Sequence, residues 1–222
     1  MPRAKRKPVP PPPRTTPLTR MLDAPSETPR VTALDAFELA KSKWRAGERL
    51  DLGKLAHELG VGRATVFRWV GSKEQLYGEV ISDAFAQTLE WAKRASTGNG
   101  ARFLTEVTHN LLQALLSSQP LRRFVSHDPE FAMRIVMSSS SPVEHRVINA
   151  VRALIEGEVD GGYLEPALDT GSLAYVIVRI AESFLYRDVH GSDQPDVETA
   201  TKAIGLLFTA QAKQPKRRAR QE

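Results

Sequence analysis

The side chains best suited to a specific chemical task are concentrated in one short segment, from Arg63 to Trp69. A guanidinium such as that of Arg63 can donate two parallel hydrogen bonds to O6 and N7 of guanine, and a small side chain such as Ala64 can contact a thymine methyl group. Two aromatic residues on so short a polar face are unusual for a solvated surface. The segment therefore predicts contact with DNA bases, and the alternative is a solvated, arginine-rich helix face. The predicted base-reading residues are Arg63, Ala64, Thr65, Phe67, Arg68 and Trp69.

The spacing of apolar residues places this segment on the second of two short helices. Asp51 is a typical N-cap, and apolar residues recur after it with a helical period as far as Leu59. Gly60 stands where a helix commonly ends in a left-handed residue. The next helix turns Val66 and Val70 inward. Two short helices joined by a glycine turn predict a helix-turn-helix, whose second helix enters the major groove of DNA.

Two lysines beside this motif are candidates for contacts with the DNA backbone. Ser72 and Gln75 have the spacing of a capping box, so the sequence predicts that the next helix along the chain begins there. Lys73 lies in the first turn of that helix, where a cation opposes the helix dipole. An external anion would offset this cost, and a DNA phosphate is the natural candidate. Lys54, on the first helix of the motif, completes the predicted DNA-binding set.

Residues 52–76 resemble the TetR family of bacterial repressors. The family pattern runs approximately LA-x-x-x-GV-x-x-x-T, then an apolar and an aromatic residue, and later K-x-x-L. Family members usually have Tyr where this chain has Phe67 and Phe where it has Val70. The residues that fit the pattern are Leu55, Ala56, Gly60, Val61, Thr65, Val66, Phe67, Val70, Lys73 and Leu76.

The resemblance implies an all-α fold in two parts. The first is a three-helix DNA-binding head, residues 31–75, and the second is a helical ligand-binding and dimerisation body, residues 76–212. It also implies a homodimeric repressor that binds a pseudo-palindromic operator in double-stranded DNA and is released by a small molecule. The alternative is a DNA-binding regulator that responds to a protein partner or to no effector. Residues 68–71, 162–166 and 177–186 are similar to the QsdR-like branch of the family.

The charge distribution agrees with a DNA-binding head on a body that does not bind DNA. The net charge of the 222 residues is +5, but residues 31–73 carry +3 and residues 74–212 carry −7. The two terminal segments, 1–30 and 213–222, carry +5 and +4. Such an asymmetry is typical of proteins whose basic regions meet nucleic acid.

Both terminal segments are predicted to be disordered. Residues 1–30 form a basic, proline-rich arm, in which Arg3, Lys5, Arg6 and Lys7 precede the run from Pro10 to Pro13. The arm is expected either to follow DNA, along the backbone or in the minor groove, or to be a solvated tail with non-specific attraction only. Residues 213–222 form a second basic tail.

The last two predicted helices are apolar on more than one side, which indicates burial on several faces. A partner subunit can supply the second face, and the family resemblance implies a four-helix bundle across a twofold axis. The alternative is a large monomeric core. The predicted dimer-interface residues are Ala174, Ile177, Val178, Ala181, Leu185, Ala203 and Leu207.

The resemblance also implies a small-molecule pocket in the body. Arg179 and Glu182 lie three residues apart in a very apolar helix, where charges are costly unless paired. They form either an internal salt bridge, a polar anchor for a ligand or a dimer contact. For each of the other candidates, plain core packing is the preferred alternative to ligand contact. The predicted ligand-binding residues are Trp91, Phe103, Leu111, Phe131, Met133, Met137, Tyr175, Arg179 and Glu182.

Other classes of function find little support in the sequence. The five histidines are scattered without metal-binding spacing, and no nucleophile elbow or phosphate-binding glycine loop is present. Because there is no cysteine, disulfides and zinc–thiolate sites are excluded. No apolar run has the length of a transmembrane helix. We therefore expect a cytoplasmic protein that is not an enzyme, has no cofactor or metal, and does not associate with membranes.

Overall fold

A computed structural model describes residues 31–137, 142–190 and 196–209. Within these ranges the chain forms ten α-helices and no strand, which confirms the predicted all-α class. The helices are α1 Ala33–Arg45, α2 Leu52–Glu58, α3 Arg63–Val70, α4 Lys73–Ala95, α5 Gly100–Ser117, α6 Gln119–His127, α7 Pro129–Met137, α8 Pro142–Asp160, α9 Thr170–His190 and α10 Val197–Thr209. The predicted arm, the predicted tail and the predicted loop at 138–141 lie outside the described residues.

Side-chain caps set the beginnings of several helices, as the sequence predicts. Oδ1 of Asp51 accepts a hydrogen bond from the Lys54 amide at 2.9 Å. At α4 the capping box is complete, because Ser72 Oγ accepts from the Gln75 amide and Gln75 Oε1 accepts from the Ser72 amide. Each such cap satisfies a backbone amide that the helix itself leaves without a partner. Aspartates at 128, 169 and 196 cap α7, α9 and α10 in the same way.

Pro120 follows closely on the end of α5 at Ser117. It lies in the first turn of α6, which follows α5 almost without interruption. Proline fits there because the first turn of a helix leaves its amide hydrogens unpaired in any case. Ser118 forms the junction, and its Oγ accepts a hydrogen bond from the Leu121 amide at 3.4 Å.

The first hydrophobic cluster crosses the predicted boundary between head and body. It contains buried side chains from α1 to α4 together with side chains of α6, α7 and α8. Its centre is a group of aromatic rings from Trp44, Tyr77, Phe124 and Phe131, whose centroids are 4.8 to 6.2 Å apart. Most of these contacts are edge-to-face, the arrangement that ring quadrupoles favour. The position of the helix-turn-helix therefore depends on packing against α6 and α7.

Tyr77 also anchors the start of α2 through its hydroxyl group. The buried amide of Leu50 donates a hydrogen bond to Tyr77 Oη at 2.9 Å. We expect Tyr77→Phe to lower the free energy of unfolding by about 1–3 kcal/mol, because it leaves that buried amide without a partner. Urea denaturation measures the loss. Tyr163→Phe is the matched control, since its side chain is 58% exposed, and equal stabilities of the two variants would contradict the prediction.

A second hydrophobic cluster forms the centre of the body. It joins buried side chains of α5, α8, α9 and α10, with α10 packed along α5 and α9 packed along α8. The long helix α4 contacts both α5 and α8 and also begins beside α3. It is therefore the element that connects the helix-turn-helix to the body. Within the described ranges, no helix combines the length and the apolar character needed to cross a lipid bilayer.

Candidate nucleic-acid interface and ligand cavity

The helix α3 presents to solvent most of the side chains that the sequence assigns to base reading. Val66 is fully buried and Val70 is partly buried, so they face inward as predicted. Arg63, Ala64, Phe67 and Arg68 are exposed, and Thr65 and Trp69 lie at the edges and are partly buried. Lys54 on α2 is also exposed. One face of α3 therefore carries two guanidinium groups, a methyl group and an aromatic ring.

Two glycines hold α3 at its angle to the helices on either side. Gly60 has φ of +66° and turns the chain out of α2, and Gly71 has φ of +73° between α3 and α4. Residues other than glycine rarely adopt this backbone conformation. At Gly71 a side chain would also collide with Gln75, whose carboxamide completes the capping box of α4.

The guanidinium of Arg63 lies over the ring of Phe67, with Cζ 5.4 Å from the ring centroid. A cation in this position is attracted to the negative face of the ring. The ring therefore restricts the orientations of Arg63, and such a restriction reduces the entropy that a side chain loses on binding a ligand. The sequence did not predict this pair, although residues four apart on a helix commonly meet.

The ammonium group of Lys73, for which the sequence predicts a phosphate contact, lies beside two aromatic rings of its own chain. Its Nζ lies 5.0 Å from the centroid of Phe131 and 5.7 Å from that of Tyr77, and its side chain is partly buried. Lys73 thus contributes to the packing of the head against α7. A phosphate contact remains a prediction, because an ammonium group can be attracted to a ring and to a phosphate together.

Lys73→Ala is expected to weaken binding to specific and random DNA by the same factor. If Lys73 neutralises one phosphate, the slope of log K against log salt should fall by about one unit. A salt titration by fluorescence anisotropy measures both effects. Lys202→Ala is the control, because that side chain is exposed at the opposite end of the chain, on α10. An unchanged slope in Lys73→Ala would restrict Lys73 to packing between head and body.

The body contains an apolar cavity of about 160 Å³ between α4, α5, α8 and α9. Its wall is formed almost entirely by aliphatic and aromatic side chains, among them Phe85, Val107, Leu111 and Leu154. Ligand pockets are typically apolar with a few polar groups that fix orientation. An open groove lined by the exposed Trp91 shares side chains of α1, α4 and α5 with the cavity, so the two spaces adjoin.

Glu182 is the one charged side chain in the cavity wall among the described residues, and it is only 8% exposed. Arg179 Nη2 lies 3.3 and 3.2 Å from its two carboxylate oxygens and 2.9 Å from Oε1 of Glu144. The predicted salt bridge between Arg179 and Glu182 is therefore present. The sequence did not predict the part played by Glu144, which lies on another helix.

Burial raises the pKa of Glu182, and the neighbouring Glu144 carboxylate adds to the effect, while Arg179 partly offsets it. The folded state therefore binds more protons than the unfolded state between the usual glutamate pKa and the raised one. The contribution of Glu182 to stability is present at low pH and is lost as pH rises through this window. We expect Glu182→Gln to gain stability relative to the wild type as pH rises. Urea denaturation at several pH values measures the difference.

The control for this pH dependence is Glu198→Gln, because Glu198 is exposed on α10. Its stability relative to the wild type should stay nearly constant over the same pH range. A constant difference for Glu182→Gln as well would mean that Glu182 ionises as freely in the folded chain as in the unfolded one.

The structure places few of the predicted ligand-binding residues in the cavity wall. Leu111 and Glu182 line it. Trp91 lies in the adjoining groove, and Arg179 forms a salt bridge with Glu182 but does not line the cavity. Phe131 belongs to the aromatic group under the head. The side chain of Met137 lies outside the described residues, and the remaining three do not line the cavity: Phe103, Met133 and Tyr175. Sequence periodicity identifies buried positions but cannot distinguish a cavity wall from close packing.

Three of the predicted dimer-interface residues are buried in the core of the single chain. Ala174, Ile177 and Val178 are at most 4% exposed in the single chain and pack in the second hydrophobic cluster. Their own chain already covers most of their surface, and a dimer contact by these three stays a prediction. Ala181, Ala203 and Leu207 remain partly exposed, and the side chain of Leu185 lies outside the described residues. Large exposed apolar side chains on α9 and α10 are Tyr175 and Leu206.

Comparisons with known proteins agree with this architecture. A family model described as the tetracyclin repressor-like C-terminal domain matches residues 99–209. The structure of the transcriptional repressor QsdR of R. erythropolis, from the TetR family, is 30% identical with a TM-score of 0.75 and covers 82% of this chain and 97% of that one. None of the curated proteins compared with the chain matches it.

A second solved structure shares the fold at lower identity. The TetR family repressor AlkX from Dietzia sp. strain DQ12-45-1b, implicated in biodegradation of n-alkanes, is 22% identical with a TM-score of 0.55. The match covers 82% of this chain and 96% of that one. The family model spans half of the chain, and the QsdR match extends the likeness over nearly the whole of a known repressor. The chain belongs to the TetR family of transcriptional regulators.

Proposed function

We propose that the chain is a ligand-responsive repressor of the QsdR-like branch. It binds a pseudo-palindromic operator as a homodimer, and a small molecule in the body releases it. The observation that carries this proposal is the course of α4, which begins at the capping box directly after α3 and lines the cavity farther along. The 30% identity to QsdR supports the assignment to this branch.

DNA reading in this proposal rests on the exposed face of α3. Arg63 reads a guanine, with Phe67 limiting its orientations. Lys54 and Lys73 contact phosphates at the edges of the motif and fix its register on the duplex. In a homodimer, two such helices enter successive major grooves about one helical turn apart, roughly 34–36 Å.

Release of DNA follows because α4 contributes side chains both to the cavity wall and to the cluster on which the helix-turn-helix packs. Ile81, Phe85 and Leu89 of this helix line the cavity, whereas Leu76 and Tyr77 at its beginning belong to the first hydrophobic cluster, which also contains Val66 of α3. A ligand that fits the cavity only when α4 is displaced favours a different spacing of the two heads. Because one spacing alone fits the operator, that preference lowers the affinity for DNA.

The second candidate function is DNA binding regulated by a protein partner or by no effector. The modest size of the cavity favours it, because about 160 Å³ is below the usual range of pockets for larger ligands, roughly 300–1,000 Å³. The two functions differ in one observable, since only a ligand-responsive repressor loses its operator when a small molecule occupies the cavity.

Selection from a randomised DNA pool tests the proposal. The full chain should enrich one pseudo-palindromic sequence with two half-sites one helical turn apart. Sedimentation of the complex should then give an even number of chains for each operator. Enrichment of a single half-site bound by one chain would contradict the homodimer, and the absence of any enriched sequence would contradict specific operator binding.

A further inference from the structure

The polar groups in the cavity wall differ in whether they are already used in hydrogen bonds within the protein. The hydroxyl groups of Thr88 and Thr108 already donate to backbone carbonyls of their own helices, Ala84 and Leu104, at 2.8 Å. Ser118 Oγ is used as a helix cap. The remaining polar groups of the lining residues are the indole N–H of Trp44, which can only donate, and the carboxylate of Glu182, which can only accept hydrogen bonds.

The ion pair leaves part of this accepting capacity unused. Arg179 Nη2 donates its hydrogen bond to Oε1 of Glu182 and lies 3.2 Å from Oε2 as an ion pair, but among the described residues Oε2 accepts no hydrogen bond although it is buried. Within the same described ranges, Glu144 Oε2 and Arg179 Nε are buried without a hydrogen-bond partner as well. The same Nη2 is closer to Glu144 than to Glu182. Two carboxylates thus share one guanidinium, and the cluster carries an excess negative charge beside an apolar space.

Leaving a buried acceptor without a donor is costly, and a ligand that supplies the donor removes the cost. On these grounds we propose that the effector is a small apolar molecule with one hydrogen-bond donor, a protonated amine being preferred, whose donor binds Glu182. This inference rests on the proposed ligand response. A carboxylate ligand is disfavoured, because it would place a third negative charge beside Glu144 and Glu182.

The size of the cavity limits the apolar part of the ligand. A cavity of about 150 Å³ lined by apolar side chains is sufficient for a molecule of the size of benzene, and the present one measures about 160 Å³. A single aromatic ring with one short substituent therefore matches the available space. The matched test compounds are benzylamine, benzyl alcohol, ethylbenzene and benzoate, which differ mainly in their polar group.

Isothermal titration calorimetry of the full chain without DNA tests the inference. Benzylamine should bind at least about tenfold more tightly than ethylbenzene, because hydrogen bonds to charged groups are the strong ones. Benzyl alcohol should lie between them, and benzoate should not bind. Equal affinities for benzylamine and ethylbenzene, or no binding by any of the four, would overturn the inference.

Substitutions identify Glu182 as the group responsible. Glu182→Gln should abolish the preference for benzylamine over ethylbenzene, whereas the control Glu198→Gln, at an exposed glutamate of α10 outside the cavity wall, should retain it. If Glu182→Gln does not fold, Glu144→Gln serves instead. Without the Glu144 carboxylate, Arg179 pairs with Glu182 alone, so the negative charge available to an amine decreases and the preference should be reduced. A preference unchanged in Glu182→Gln, or in Glu144→Gln when that variant is used, would overturn the inference.

A separate measurement distinguishes this inference from the proposed function. Operator binding is followed by fluorescence anisotropy with each compound at saturation. Amine-selective binding without loss of operator supports the inference on the ligand and contradicts ligand-induced release. Release by ethylbenzene as readily as by benzylamine supports the release mechanism and contradicts the role of Glu182.

Discussion

Arg63→Ala is expected to weaken binding to the specific operator by about 1–3 kcal/mol while affecting random DNA much less. The guanidinium is exposed on α3 and lies over Phe67, so it is available to a base edge in an orientation that is already restricted. Loss of a base-reading group removes discrimination, whereas loss of a phosphate contact weakens all sequences alike. Anisotropy titrations with operator and random duplexes measure the two affinities.

Arg152→Ala is the matched control for this substitution. Arg152 is an exposed arginine on α8, in the body, paired with Glu156 on the same helix. It should bind operator and random DNA as the wild type does. Equal losses on both DNAs for Arg63→Ala would show that Arg63 contacts the backbone and does not read a base.

Deleting residues 1–28 should lower the affinity for DNA and reduce the slope of log K against log salt by about two to four units. The arm carries four cations in its first seven residues, Arg3, Lys5, Arg6 and Lys7, and each phosphate contact releases condensed counterions. The choice of operator should change little, because such contacts carry no base information. A salt titration of the full-length and the arm-deleted chain measures the change.

The control for the arm is deletion of residues 213–222, which carry +4. This segment follows α10, and charges more than about 8 Å from the DNA are largely screened at physiological salt. Its removal should leave the slope nearly unchanged. An unchanged slope on removal of the arm would make the arm a solvated tail. A larger loss on removal of the tail than of the arm would show that the tail, and not the arm, contacts DNA.

Local features of the fold could be predicted because their determinants are close in sequence. The capping box at Ser72 and Gln75, the cap at Asp51 and the left-handed Gly60 each depend on residues at most a few positions apart. The inward positions of Val66 and Val70 follow from the helical period in the same way. The exposed face of α3 could therefore be predicted from the sequence alone, although its function in reading DNA bases remains a proposal.

Features that depend on distant residues could not be predicted. The pairing of Arg179 with Glu182 has a spacing of three residues and was one of the alternatives that the sequence offered, whereas Glu144 reaches the same guanidinium from another helix. Ile177 and Val178 show the same limit, because an apolar pattern indicates that a side chain is covered but not whether its own chain or a partner covers it. The cavity is likewise a property of several helices together.

The most direct test of base reading by α3 combines one atom of the operator with one side chain of the protein. Guanines of the selected operator are replaced one position at a time, in both half-sites, by 7-deazaguanine, which lacks the N7 acceptor that a bidentate arginine uses. At one position the wild-type chain should lose at least about tenfold in affinity, and Arg63→Ala should lose nothing further. Equal losses in the two proteins at every guanine would contradict the assignment of Arg63 as a base reader.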